Sequence, residues 1–255
     1  MPRITAVRHE DRLTLVEHLD ELRTRLIVSL GFFAVALAVC FWQNNRLLDI
    51  ANGPLPDNRD RLLTLGVTEP FTTTLTVSVY AALLVSLPFV LYQLYAYVLP
   101  AFSERERKVV TPILVAVPLL FIAGVVFAYY IVMPAATKFL LNFNDDQFNV
   151  QVRARDYYSF FSTTLLAVGV IFQLPVGILA ATRLGFVTPK QLAKNRRYAI
   201  LVIAIVAAAL PGVDPVTMII EMVPLVLLYE LSIVLARLFG TPSSGRLPEP
   251  SAQEP

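Results

Sequence analysis

Two short charged stretches carry the residue types that could recognise a ligand. The first is His18-Leu19-Asp20-Glu21-Leu22-Arg23-Thr24-Arg25-Leu26, which runs into an apolar segment. The second is Leu99-Pro100-Ala101-Phe102-Ser103-Glu104-Arg105-Glu106-Arg107-Lys108, set between two apolar segments. If both lie at one membrane face, their carboxylates form a receptor surface for a basic peptide. A guanidinium is a planar fork of donors that a carboxylate accepts in pairs, so reading two adjacent arginines requires at least two placed carboxylates. The plain alternatives are an i,i+4 ion pair of Glu21 with Arg25, worth about 0.3–0.5 kcal/mol, and a solvated Glu106 among Arg105, Arg107 and Lys108.

The elements that must position these stretches are membrane helices. The 255-residue chain is 56% hydrophobic and 16% charged, with a mean hydropathy of +0.64, whereas soluble domains average roughly 25% charged residues. Its single cysteine, Cys40, excludes an internal disulfide framework. Thr14-Leu15-Val16-Glu17 fits a capping box that starts a helix. Leu15, Leu19, Leu22 and Leu26 then form one apolar stripe, so the segment reads as an amphipathic surface helix entering the first span. The acids in it argue against a cleaved signal peptide.

Spans are expected at about 26–42, 71–98, 112–133, 157–181, 199–211 and 216–238, giving an all-α, six-span concave bundle with short fifth and sixth helices. One membrane domain covers 1–240, and the Pro-, Ser- and Glu-rich 241–255 is expected to be a disordered cytoplasmic tail. Pro88 is expected to kink the second span, and Gln173-Leu174-Pro175 to interrupt the fourth. Gly53-Pro54 punctuates a first outer loop over 43–69, 134–156 reads as a second outer loop, and 183–198 as a basic inner one. Of the 21 Lys and Arg, 15 then fall on the side of the termini, which places both termini in the cytoplasm.

Polar residues within the apolar segments are the other candidates, because a centred charge costs roughly 2.5–3.5 kcal/mol to insert. Glu221 and Glu230 lie in the last span, Gln173 in the fourth, and Asp214 at the turn before the last, where it could cap the final helix. The plain reading of Gln173 is that its amide serves carbonyls freed by Pro175. These groups would also suit a proton-coupled small-solute secondary transporter, but no half-to-half repeat is evident. No His-Glu-x-x-His, Gly-x-Ser-x-Gly or phosphate loop points to an enzyme.

The 18–26 stretch resembles the N-terminal signature of TatC, the six-span subunit of the twin-arginine protein translocase. The resemblance continues through Thr68-Glu69-Pro70-Phe71, Pro88-Phe89-Val90-Leu91-Tyr92-Gln93, Leu99-Pro100-Ala101 with Glu106-Arg107-Lys108, Phe127-Ala128-Tyr129, Phe172-Gln173-Leu174-Pro175-Val176, Asp214-Pro215 and Tyr229-Glu230. It implies a receptor for twin-arginine signal peptides of folded substrates, in the cytoplasmic membrane, using the proton-motive force without a cofactor or a metal. It also implies the single-span partners TatA and TatB, self-association in the receptor complex, and no nucleic acid. Glu21 and Glu106 match the family's two signal-peptide acids, with Arg23 and Arg107 as neighbours. Gln173 and Glu230 match intramembrane polar positions open to partner contact, and Pro54 and Asp214 take structural roles at the outer loops. Gln173 is a departure, since the family often has a glutamate there; an amide keeps hydrogen bonding but carries no charge.

Overall fold

The computed structural model describes residues 15–56, 62–98, 104–144, 147, 151–183, 185–210 and 214–239, with the side chains of 15–17, 98 and 104–114 excluded. The expected Thr14 capping box, the 241–255 tail and the Leu99-Pro100-Ala101 motif lie outside the described residues. The described chain is helical. Helix α1 (Leu15–Trp42) is followed by α2 (Asn44–Asn52), α3 (Glu69–Val98) and α4 (Glu104–Phe127). A π-helical turn (Ala128–Val132) leads without a break into α5 (Met133–Asn142). Then come α6 (Ala154–Ile171), α7 (Leu174–Arg183), α8 (Pro189–Lys194), α9 (Arg196–Ala209) and α10 (Pro215–Phe239).

Among the described residues, five helical stretches are long and apolar enough to cross a membrane: His18–Trp42, Glu69–Tyr97, Val115–Asn142, Ala154–Arg183 and Pro215–Phe239. The protein is therefore an all-α, multi-pass membrane protein. Helix α9 has 14 residues, which at 1.5 Å per residue covers about 21 Å, so it stands apart from the other five.

Several boundaries differ from the sequence expectation. The second charged stretch, expected between two spans, is helical from Glu104 onward, so its charged residues belong to the first turns of α4. The expected 134–156 loop is helical as far as Asn142, because Pro134 sits at the start of α5, where its missing N–H interrupts no bond of that helix. The basic 183–198 segment holds α8, whose Thr188–Gln191 capping box satisfies the first free amides on both sides. The fourth span does break where Gln173-Leu174-Pro175 required it, with α6 ending at Ile171 and α7 starting at Leu174.

Helix α3 is the central element, packed along α1, α4 and α6. Its hydroxyls close back on their own helix, Ser78 on the Thr74 carbonyl at 2.9 Å and Ser86 on the Ala82 carbonyl at 2.7 Å, which lets polar side chains lie inside an apolar bundle. Helices α4 and α6 approach at glycines: a Cβ at Gly169 would meet Phe121 Cε2 at 2.9 Å, and one at Gly124 would meet the Gly169 Cα at 3.0 Å. The main core gathers Val77, Met133, Tyr157, Phe161 and Leu165. A second cluster joins α9 and α10 through Ile203, Ala207, Leu225 and Ile233. Leu26, Ile27, Val35, Leu119, Ile205 and Leu227 face outward, as lipid-facing positions do where the solvent is itself apolar.

Candidate functional site

The first charged stretch occupies the opening turns of α1, and the antiparallel α3 brings its last turns alongside. Arg25 links the two. Its Nε and Nη2 both donate to Glu21 Oε1, at 2.9 and 2.6 Å, and its Nη1 donates to Gln93 Oε1 of α3 at 2.7 Å. One turn earlier, the His18 ring stacks on Tyr97 of α3 with centroids 4.2 Å apart and planes 11° from parallel. His18 Nδ1 lies 3.9 Å from Glu21 Oε2. The Glu21 and Arg25 side chains are 28% and 26% exposed, so the pair is reachable from water yet held on both sides.

This end of α1 lines an open concavity of about 600 Å³ with Asp20, Glu21, Arg23, Thr24, Arg25 and Ile27. Of these, Arg23 is exposed. The side chains of Glu106 and Arg107 lie outside the described residues; their backbone belongs to the first turns of α4, which packs on α3. Leu19, Leu22 and Leu26 are all exposed, so the leucine stripe faces away from the bundle.

Two members of this arrangement have no assigned role in the sequence reading. Gln93 is the only side-chain amide between Phe71 and Val98, a signal that could have marked it. Tyr97 carries no comparable mark, because aromatic residues are common throughout that helix.

At the opposite end of the bundle, the segments flanking α2 are fixed by polar contacts. Glu69 opens α3, is 5% exposed, and accepts four bonds. Two come from the Leu65 and Gly66 amides at 2.8 and 3.1 Å, and two from Arg153 Nε and Nη2 at 2.7 and 3.1 Å. The carboxylate raises the Arg153 pKa above its ordinary value, chiefly through these hydrogen bonds. Leu63 and Arg153 also pair as a bridge, with the Leu63 amide donating to the Val152 carbonyl at 2.9 Å. The last carbonyls of α2 take tyrosine hydroxyls: Tyr129 on Ile50 at 2.9 Å and Tyr157 on Ala51 at 2.6 Å. Thr137 donates to the Pro54 carbonyl at 2.9 Å.

The polar residues within the spans are held in different ways. Gln173 Nε2 donates to the Val117 carbonyl of α4 at 3.2 Å, not to carbonyls freed by Pro175. Asp214 Oδ1 accepts the Thr217 amide at 2.8 Å at the start of α10. Glu221 is 2% exposed, has no hydrogen-bond partner for either oxygen among the described residues, and borders a cavity of about 10 Å³ with Phe127, Phe172 and Leu210. Glu230 lies apart from these, paired with Arg196 Nη2 at 2.7 Å across the α9–α10 hairpin.

The profile described as Sec-independent protein translocase protein (TatC) matches residues 17–224. The Sec-independent protein translocase protein TatC of Carboxydothermus hydrogenoformans is 34% identical over 230 residues, covering 89% of this chain and 95% of that protein. The protein of the same name from Aquifex aeolicus is 35% identical, again over 89% of this chain and 95% of its own length. A crystal structure of the twin arginine translocase receptor TatC superposes with a TM-score of 0.74 at 33% identity, covering 88% of this chain and 99% of the other. The matched region contains the α1 and α3 residues, the start of α4 and the break between α6 and α7, and the chain belongs to the TatC family of Sec-independent protein translocase proteins.

Proposed function

We propose that the chain is the signal-peptide receptor and core subunit of a twin-arginine translocase, exporting folded proteins across the cytoplasmic membrane with the proton-motive force. In this reading it is not an enzyme. Its 1–240 region is one membrane domain with six spans, α9 being a short fifth, and both termini face the cytoplasm. Glu21 and Glu106 accept the two signal-peptide arginines, and Arg23 and Arg107 repel other basic segments. TatA and TatB are its single-span partners, and copies of the chain associate in the receptor complex. Glu230 is the exposed polar point offered to a partner helix, Gln173 acts from inside the bundle, and Pro54 and Asp214 hold the loops of the opposite face.

The observation that supports this reading is the meeting of Glu21 with the end of α3 through Arg25 and Gln93. The α3–α4 connection then leads, within seven residues of Tyr97, to the helix that carries Glu106. Two carboxylates on adjoining helix ends suit a ligand with two adjacent guanidiniums. The test is crosslinking of an Arg-Arg signal peptide to the wild type and to Glu21→Ala and Glu106→Ala. Each substitution is expected to reduce crosslinking strongly, and undiminished crosslinking in both overturns the proposal.

A further inference from the structure

One oxygen of the carboxylate offered to a ligand is already held by a guanidinium. Glu21 Oε1 holds both Nε and Nη2 of Arg25, the side-on fork that an incoming arginine would present. Nη1, the remaining terminal nitrogen, is held separately by Gln93 from a second helix. An exposed i,i+4 pair by itself would be loose and worth little. Here the amide on α3 fixes the guanidinium in place.

We propose that Arg25 is a resident competitor for Glu21, and that displacing it, with Gln93 keeping hold of the released guanidinium, sets the affinity that a basic peptide must exceed to engage the receptor. The inference rests on the receptor reading of Glu21. An arginine of the peptide replaces Arg25 fork for fork, so the bonds to Glu21 are conserved in the exchange. A lysine ammonium is a compact, strongly hydrated point charge without the fork, and it cannot recover both bonds. The competitor lowers the apparent affinity of both ligands by the same factor, so the arginine, which makes the better contact with Glu21, is the one that still binds. Gln93 makes the exchange possible, because it gives the displaced Arg25 a neutral acceptor instead of leaving a charge without a partner.

The test measures binding of an Arg-Arg signal peptide and its Lys-Lys counterpart to the purified full-length protein in detergent. The variants are Arg25→Gln, Arg25→Lys, Gln93→Leu and Glu21→Ala. Without the competitor, Arg25→Gln is expected to raise the affinities for the Arg-Arg and Lys-Lys peptides together by about tenfold, the factor that one charged hydrogen bond commands. Arg25→Lys, which keeps the charge and loses the fork, should raise them by less. Gln93→Leu should weaken Arg-Arg binding while leaving Glu21 in place. An Arg-Arg affinity unchanged or lowered in Arg25→Gln overturns the competitor role while Glu21→Ala still abolishes Arg-Arg binding. Retention of Arg-Arg binding by Glu21→Ala overturns the receptor reading itself.

Discussion

Arg153 Nε donates to Glu69 Oε1 across 2.7 Å, joining the residue before α6 to the first residue of α3. Because the same carboxylate also accepts the Leu65 and Gly66 amides, one buried side chain organises the approach to α3 and the approach to α6 together. Removing Arg153 would leave that carboxylate with its backbone donors alone, and removing Glu69 would free all four donors. Glu69→Gln and Arg153→Ala are each expected to lower the melting temperature in detergent, and the double variant to lose less than the sum of the two. Arg155→Ala, two residues along, should have little effect; an equal drop for it would show that the pair has no special role.

The tyrosine hydroxyls at the end of α2 support a related expectation. The last carbonyls of a helix have no partner within it, and those of Ile50 and Ala51 are met by Tyr129 and Tyr157. Tyr157→Phe keeps the ring in the core and deletes only the donor, leaving a buried carbonyl unpaired. The expected loss is about 1–3 kcal/mol by denaturant unfolding, with a smaller loss for Tyr129→Phe because its hydroxyl bond is exposed.

The contrast between these contacts and the sequence shows what was legible. The spans follow from apolar length and the α6–α7 break from Pro175, because a proline removes a bond whatever surrounds it. The charged stretches stood out because charge is rare in this chain. Glu69 and Arg153 did not stand out as a pair, since 84 residues separate them and neither carries a local pattern. The π-helical turn that carries the third span into α5 was equally hidden, as no residue between Ala128 and Val132 marks it. Gln93 was visible as an isolated amide, but its meaning depends on Arg25, which reaches it only after α1 and α3 have docked.

Glu221 presents the opposite case to Glu69, a buried acid with no hydrogen bond from any described residue. A buried polar group without a partner costs about 1–3 kcal/mol, and an apolar side chain of similar size would remove that cost while filling the same space between α10 and the α6–α7 break. Glu221→Leu is therefore expected to raise the melting temperature of the purified protein. Gln173→Leu, which takes away the donor to the Val117 carbonyl, should lower it. A Glu221→Leu protein less stable than wild type would mean that the carboxyl has a partner worth more than its burial costs.

The crossing of α4 and α6 gives the last expectation. Between membrane helices there is no water to expel, so association depends on close packing, and small residues let backbones approach. Gly169 sits where any Cβ would lie 2.9 Å from the Phe121 ring and 3.0 Å from Val125. Phe121 is itself 1% exposed, so the ring has no open space to enter. Gly169→Val must push α4 away from α6, and because α3 packs on both, the displacement reaches the helix that holds Gln93. Gly177 on α7 has nothing within 4 Å of such a Cβ, and Gly177→Ala is expected to be tolerated, with a gain in helix propensity of about 1 kcal/mol. Thermal unfolding together with Arg-Arg peptide binding separates the outcomes. Gly169→Val should lose stability and weaken peptide binding without touching the receptor residues, whereas stability lost with binding unchanged would show that the α4–α6 crossing and the α1–α3 contact are independent.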